Sequence, residues 1–252
     1  MPLVTDPDEI LSSSDDPPRP LLSHLDELRS CIVRAAAGWF AGTCLAYGVF
    51  PKILPLLIRP PIEKLVFTSP MEPFLVQMKL SAVLGFGATL PWIMYQGWRF
   101  VAPGLKPGER GALRSLIWPS YALFLAGGAL GLAVAAPLGL RFLLSFQTSY
   151  LVPYITLSSY LGYVSFLVLG TGFVFQLPIV LFVLVSLGLV QRETLSRYRK
   201  HVFLGLLVVA AVITPSPDVT GQLLVALPAY LLFELSMLVL WLGRPRKGSP
   251  PI

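Results

Sequence analysis

The sequence predicts an all-α polytopic membrane protein of six transmembrane helices. Mean hydropathy is +0.73, and only 13% of the 252 residues are charged, about half the share usual in a soluble domain. A spanning helix needs roughly 20 mostly apolar residues at about 1.5 Å each. Candidate spans fall near 30–50, 74–100, 113–136, 160–187, 201–214 and 219–242. An even number of spans puts both termini on one side.

Basic residues say which side. Arg19, Arg29 and Arg34 flank the first span on its amino side, Arg99, Lys106, Arg110 and Arg114 follow the second, and Arg192, Arg197, Arg199 and Lys200 follow the fourth. Arg244, Arg246 and Lys247 close the chain. The opposite side has only Lys52, Arg59, Lys64, Lys79 and Arg141. By the positive-inside rule the first set is cytoplasmic, so both termini are expected in the cytoplasm. The net charge of +6 is therefore topological. Its residues are scattered at span ends and give no phosphate-tracking stripe, which argues against nucleic acid as a partner.

Residues 1–20, rich in Asp, Ser and Pro, lack the basic and apolar regions of a cleavable signal and read as a disordered cytosolic tail. SHLDELRS, Ser23 to Ser30, reads as a helix start with Ser23 as N-cap and Asp26 at the capping-box position. Leu22, Leu25 and Leu28 recur every three residues, so this segment is expected at the membrane interface. Cys31 and Cys44 lie thirteen positions apart on one predicted helix, about 20 Å, and cannot pair. Small packing residues are the expectation.

The first outside loop, Pro51 to Pro73, is dense in proline and should form an ordered cap, with Pro70, Glu72 and Lys79 at its close. Glu72 and Lys79, two helical turns apart, are placed to pair on one face. After the second span comes FVAPGLKPGER, Phe100 to Arg110. It holds a carboxylate, Glu109, between Lys106 and Arg110 on an otherwise basic face. An acid there has no topological purpose; taken alone it reads either as a solvated loop acid or as an acceptor of planar bidentate hydrogen bonds from a guanidinium group. Glu27 is a second acid on that face.

The outside connection from Pro137 to Ser159 carries Phe142, Phe146, Tyr150 and Tyr154 and reads as a long loop in the interfacial aromatic belt. Gln176 falls mid-span with Pro178 two residues on, so a kink is expected beside an intramembrane amide. The amide could bond a neighbouring helix or serve a functional contact. Between His201 and Thr214 there are only about a dozen apolar residues, roughly 18 Å against a core of about 30 Å. The TPSPD turn, Thr214 to Asp218, stops that span, and Glu234 interrupts the next, so the last two helices are expected to be short. Residues 243–252 read as a basic cytosolic tail, leaving 21–242 as the transmembrane domain.

Catalytic signals are missing. His24 and His201 are the only histidines, no metal-ligand spacing or phosphate-cradling loop occurs, and no serine has a base at recognisable spacing. Neither an enzyme nor a bound metal or cofactor is expected. A small-solute transporter or channel is the alternative, but it needs a polar line through the bundle, and Gln176 and Glu234 sit on separate helices.

Six segments in order carry a resemblance: HLDELRSCI (24–32), SPMEPFLVQMKLS (69–81), YQGWRFVAPGLKPGER (95–110), FVFQLPIV (173–180), RYRK (197–200) and TPSPDVTGQLLVALPAYLLFE (214–234). Together they resemble the TatC family, the multispan subunit of the twin-arginine protein translocase. The resemblance implies a cupped six-helix bundle of the bacterial inner membrane that receives folded precursors bearing Arg-Arg signal peptides. It further implies a homo-oligomer within a larger complex, driven by the proton gradient without a cofactor. Carried over by position, Glu27, Phe100, Glu109 and its neighbour Arg110 would form the signal-recognition surface. Thr214 and Gln222 would belong to the docking surface for single-span TatA/TatB-type partners, with Asp218 and Glu234 as polar positions of the same helix. Gln176 departs from the pattern, because similar proteins often have Glu there. Partner contact rather than proton transfer is the expected role.

Overall fold

A computed structural model describes residues 21–58, 65–101, 115–148, 150, 153–186, 189–214 and 219–242. The expectations for both tails, for Lys106, Glu109 and Arg110, and for Asp218 lie outside the described residues.

The described chain is helical almost throughout. In order it forms α1 (Leu21–Leu57), α2 (Glu72–Val101), α3 (Ile117–Leu130), a π-helical turn (Gly131–Ala135), α4 (Ala136–Leu144), α5 (Leu157–Val174), α6 (Leu177–Ser186), α7 (Arg192–Arg197), α8 (Arg199–Ile213) and α9 (Val219–Leu242). Five stretches are long and apolar enough to cross a membrane: Leu25–Leu57, Glu72–Val101, Ile117–Leu144, Leu157–Val185 and Gly221–Leu238. Leu161, Val164 and Leu167 of α5 are almost fully buried at the centre of the main core, with Val76 and Leu80 from α2, Leu206 and Ala210 from α8, and Val225 and Ala226 from α9 around them.

α1 and α2 pack antiparallel from Arg34 against Trp92 to Tyr47 against Gln77, and glycines permit it. A Cβ on Gly85 would stand 2.5 Å from Thr43 N and 2.6 Å from Thr43 Cα, so only hydrogen fits where the two backbones cross. The pair is stitched on either side: Trp92 Nε1 donates to Arg34 O (3.0 Å) and Trp39 Nε1 to Ala82 O (2.8 Å). α3 meets α5 the same way, Gly127 lying against Thr171 O.

Prolines account for most departures from expectation. The first helix does not end at Pro51 but runs to Leu57, with Pro51 and Pro55 inside it. Proline at 51 removes the donor for the carbonyl four residues back, that of Tyr47. Gln77 Nε2 from α2 donates to that oxygen instead, at 3.4 Å. At its other end α1 is already helical at Leu21, so Ser23 lies within the helix rather than capping it. The connection expected from Pro137 is likewise helical as far as Leu144. The helix widens into the π turn just before Pro137, where Ala136 N–H reaches back to Gly131 O, and Tyr163 Oη donates to Ala136 O at 3.0 Å.

The kink expected near Pro178 is a two-residue break at Phe175–Gln176 between α5 and α6. α8 is short as expected, 15 residues, or about 22 Å. α9 is not: it runs 24 residues unbroken, about 36 Å. Glu234 does not interrupt it because the carboxylate is paired.

Candidate functional site

Glu72, Gln176, Gln222 and Glu234 each bond a partner on another element of the chain. Glu72 is buried, and its carboxylate accepts from Thr68 N (2.7 Å), Thr68 Oγ1 (2.9 Å) and Ser158 N at the start of α5 (2.8 Å). It closes the turn that contains the exposed Pro70 and ties it to α5. The expected pairing with Lys79 is absent among the described residues, because both carboxylate oxygens already serve this cap. Leu157 N donates to Val66 O (2.8 Å) and Tyr160 Oη to Leu57 O (2.9 Å), so α1, the cap and α5 form one ordered end.

Gln176 is committed to α3. Its Nε2 donates to Ser120 O at 2.9 Å, and its Oε1 accepts from Ser120 Oγ. Ser120 is fully buried. Of the two readings the sequence left open, this geometry is the bond to a neighbouring helix, with both ends of the amide engaged inside the chain. Phe86, Phe124 and Phe173 cluster nearby, their ring centroids 5.7–6.1 Å apart.

At the other end of the short hairpin, Glu234 is braced from two sides. Arg199 Nη1 lies 3.0 Å from Oε2, and Tyr230 Oη donates to Oε1 at 2.9 Å. Tyr230 also packs edge-on against Phe203, so this network joins the start of α8 to the last turns of α9. Gln222 Nε2 donates to Leu207 O at 2.7 Å, and the buried Thr214 caps α8 by donating its hydroxyl to Ala210 O at 2.6 Å. Sequence reasoning missed Ser120 and Arg199, since neither carries a local signal for its distant partner. It also missed Gln96, fully buried in α2 with its Oε1 lacking a hydrogen-bond partner among the described residues.

Glu27 and Phe100 sit on helices whose register is fixed. Tyr47 meets Gln77, Gly42 meets Gly85 and Arg34 meets Trp92. Continued turn by turn, that register sets Glu27 level with Arg99 and Phe100. Cys31 is buried a turn further in, whereas Cys44 is exposed on the helix surface rather than packed inside as expected.

The family model for the Sec-independent protein translocase protein TatC matches residues 23–228. The chain belongs to the TatC family. A TatC of Carboxydothermus hydrogenoformans is 34% identical over 238 residues, 93% of this chain and 98% of that one. The TatCd of Bacillus subtilis is 36% identical over 217 residues, covering 86% of this chain and 89% of its own. A crystal structure of the twin-arginine translocase receptor TatC in the detergent DDM superposes with a TM-score of 0.72 at 33% identity, covering 88% of this chain and all of the other. As a TatC the chain is a subunit of a protein translocase, not a catalyst.

Proposed function

We propose that this chain is the receptor that reads Arg-Arg signal peptides on folded precursors at the cytoplasmic membrane face, through Glu27, Phe100, Glu109 and Arg110. The observation that carries the reading is the α1–α2 register, which supports Glu27 and Phe100 acting at the same end of one rigid helix pair whose next residues lead into the Glu109 loop. Two carboxylates suit two guanidinium groups, because each can accept a planar pair of hydrogen bonds that a lysine ammonium cannot match. Phe100 would cover the apolar stems, and Lys106 and Arg110 keep the loop on the cytoplasmic side.

In this reading the chain crosses the inner membrane six times, α8 included, with both termini inside. Single-span TatA/TatB-type proteins dock at the α8–α9 hairpin near Thr214, Asp218 and Gln222, further copies of the chain join the complex, and the proton gradient drives export. The short α8 supports a site where the bilayer is thinned or a partner helix shields the mismatch.

The deciding experiment is photocrosslinking from Leu105 in membranes to a precursor bearing either an Arg-Arg or a Lys-Lys signal. Selective Arg-Arg crosslinking that is lost in Glu109→Ala is the expected result. Equal crosslinking of both signals, or no effect of Glu109→Ala, overturns the assignment.

A further inference from the structure

Lys79 stands two helical turns inside α2 from Glu72, about 10 Å along the axis. A cation at that depth is costly unless something receives its charge. Among the described residues no carboxylate does so, Glu72 being committed to Thr68 and Ser158. The Lys79 side chain is exposed and borders an open groove of about 160 Å³ between α2 and α5, walled by Val76 and Leu161 and edged by Ser158 and Ser165. Gly162 lines the groove beside open space: a Cβ built there would meet no atom within 4 Å. Leu75 and Met78, exposed apolar side chains of α2, flank Val76 and Lys79 in sequence. A single unpaired cation above an apolar trough is the complement of an amphiphile with an anionic head.

We propose that this groove seats an anionic phospholipid of the leaflet at the Glu72 end. The four-carbon stem of Lys79 lifts its ammonium towards the helix end, where the lipid phosphate lies, while an acyl chain fills the trough over Gly162. The Ser158 hydroxyl lies on the same rim as a second donor. A free anion would gain nothing from the apolar walls, and a zwitterionic lipid would bring a cation of its own to Lys79. The site is independent of the signal-peptide reading, since it lies at the opposite end of α2.

The test is native mass spectrometry of the purified full chain titrated with phosphatidylglycerol or phosphatidylcholine. The unchanged protein should prefer phosphatidylglycerol. Lys79→Gln should weaken phosphatidylglycerol binding on the order of fivefold, the effect of one lysine at an anionic surface, and leave phosphatidylcholine unchanged. Lys79→Arg should restore the preference. Lys52→Gln, which removes an exposed cation of α1 outside the groove, should change nothing. Gly162→Leu should weaken both lipids alike by filling the trough. Undiminished phosphatidylglycerol binding in Lys79→Gln overturns the proposal. Displacement of the lipid by millimolar glycerol phosphate also overturns it, because that would mark a free-anion site.

Discussion

Replacing Gly85 with alanine tests whether the α1–α2 crossing is as tight as the geometry requires. The new Cβ would stand 2.5 Å from Thr43 N, 2.6 Å from Thr43 Cα and 2.8 Å from Gly42 C. All three are backbone atoms that no rotamer change can move. Ordinary carbon contacts lie near 3.5–4.0 Å, so α1 would have to retreat by about 1 Å. Overpacking of that kind costs about 1–3 kcal/mol. Alanine also improves helix propensity by about 1 kcal/mol, which would blur the result without a control. Gly87 supplies one. It lies two residues along the same helix, and a Cβ there meets only Phe124 Cε1, at 3.8 Å. The propensity gain cancels between the two variants, so Gly85→Ala should be less stable than Gly87→Ala by about 1–3 kcal/mol. Reversible unfolding in mixed micelles measures the difference. Equal stability of the two variants would refute the close crossing, and with it the register that sets Glu27 beside Phe100.

Gln176→Leu removes both bonds to Ser120 and should cost about 1–2 kcal/mol by the same unfolding assay, given what interhelical hydrogen bonds contribute in membranes. Gln176→Glu keeps the acceptor and should retain export; loss of export in both variants would point away from a bonding role. For the Glu234 brace, a double-mutant cycle of Glu234→Gln with Arg199→Gln should give a coupling of about 0.5–1 kcal/mol that shrinks in high salt, and a coupling near zero would reduce the pair to a chance contact. Lengthening α8 by four leucines should impair export if its shortness is used, and normal export in that variant would discard the mismatch idea.

Hydropathy alone located the long helices, because a run of apolar residues has few other uses in a chain with so little charge. It failed at Pro51 and Pro137 for a common reason. A proline reads as a stop only while the backbone around it has no other arrangement: at Pro51 the substitute is the side chain of Gln77, far off in sequence, and at Pro137 it is a π turn that the preceding Gly-Leu-Ala-Val-Ala run does not announce. Lys79 looked like the natural partner of Glu72 seven residues away, yet Ser158 across the bundle offers a backbone donor that the sequence cannot announce. Glu234 looked like an interruption until Arg199, itself legible only as a topology signal, was found beside it. Of the candidate recognition surface, the acids were visible as charges out of place. The common level of Glu27 and Phe100 depends on which glycines let two helices touch.

α1 is one unbroken rod of 37 residues whose tight crossing with α2, at Gly42 and Gly85, lies close to its middle. Such a rod behaves as a lever on a fulcrum. With about 25 Å of helix from Gly42 to Leu25 and about 22 Å from Gly42 to Leu57, a tilt of roughly 5° would swing the two ends in opposite directions by about 2 Å each. The far arm is tethered where Tyr160 holds Leu57. A load placed on the Glu27 end would thus be felt at that tether, with the turns that hold Pro51 and Pro55 as the part of the rod best able to give.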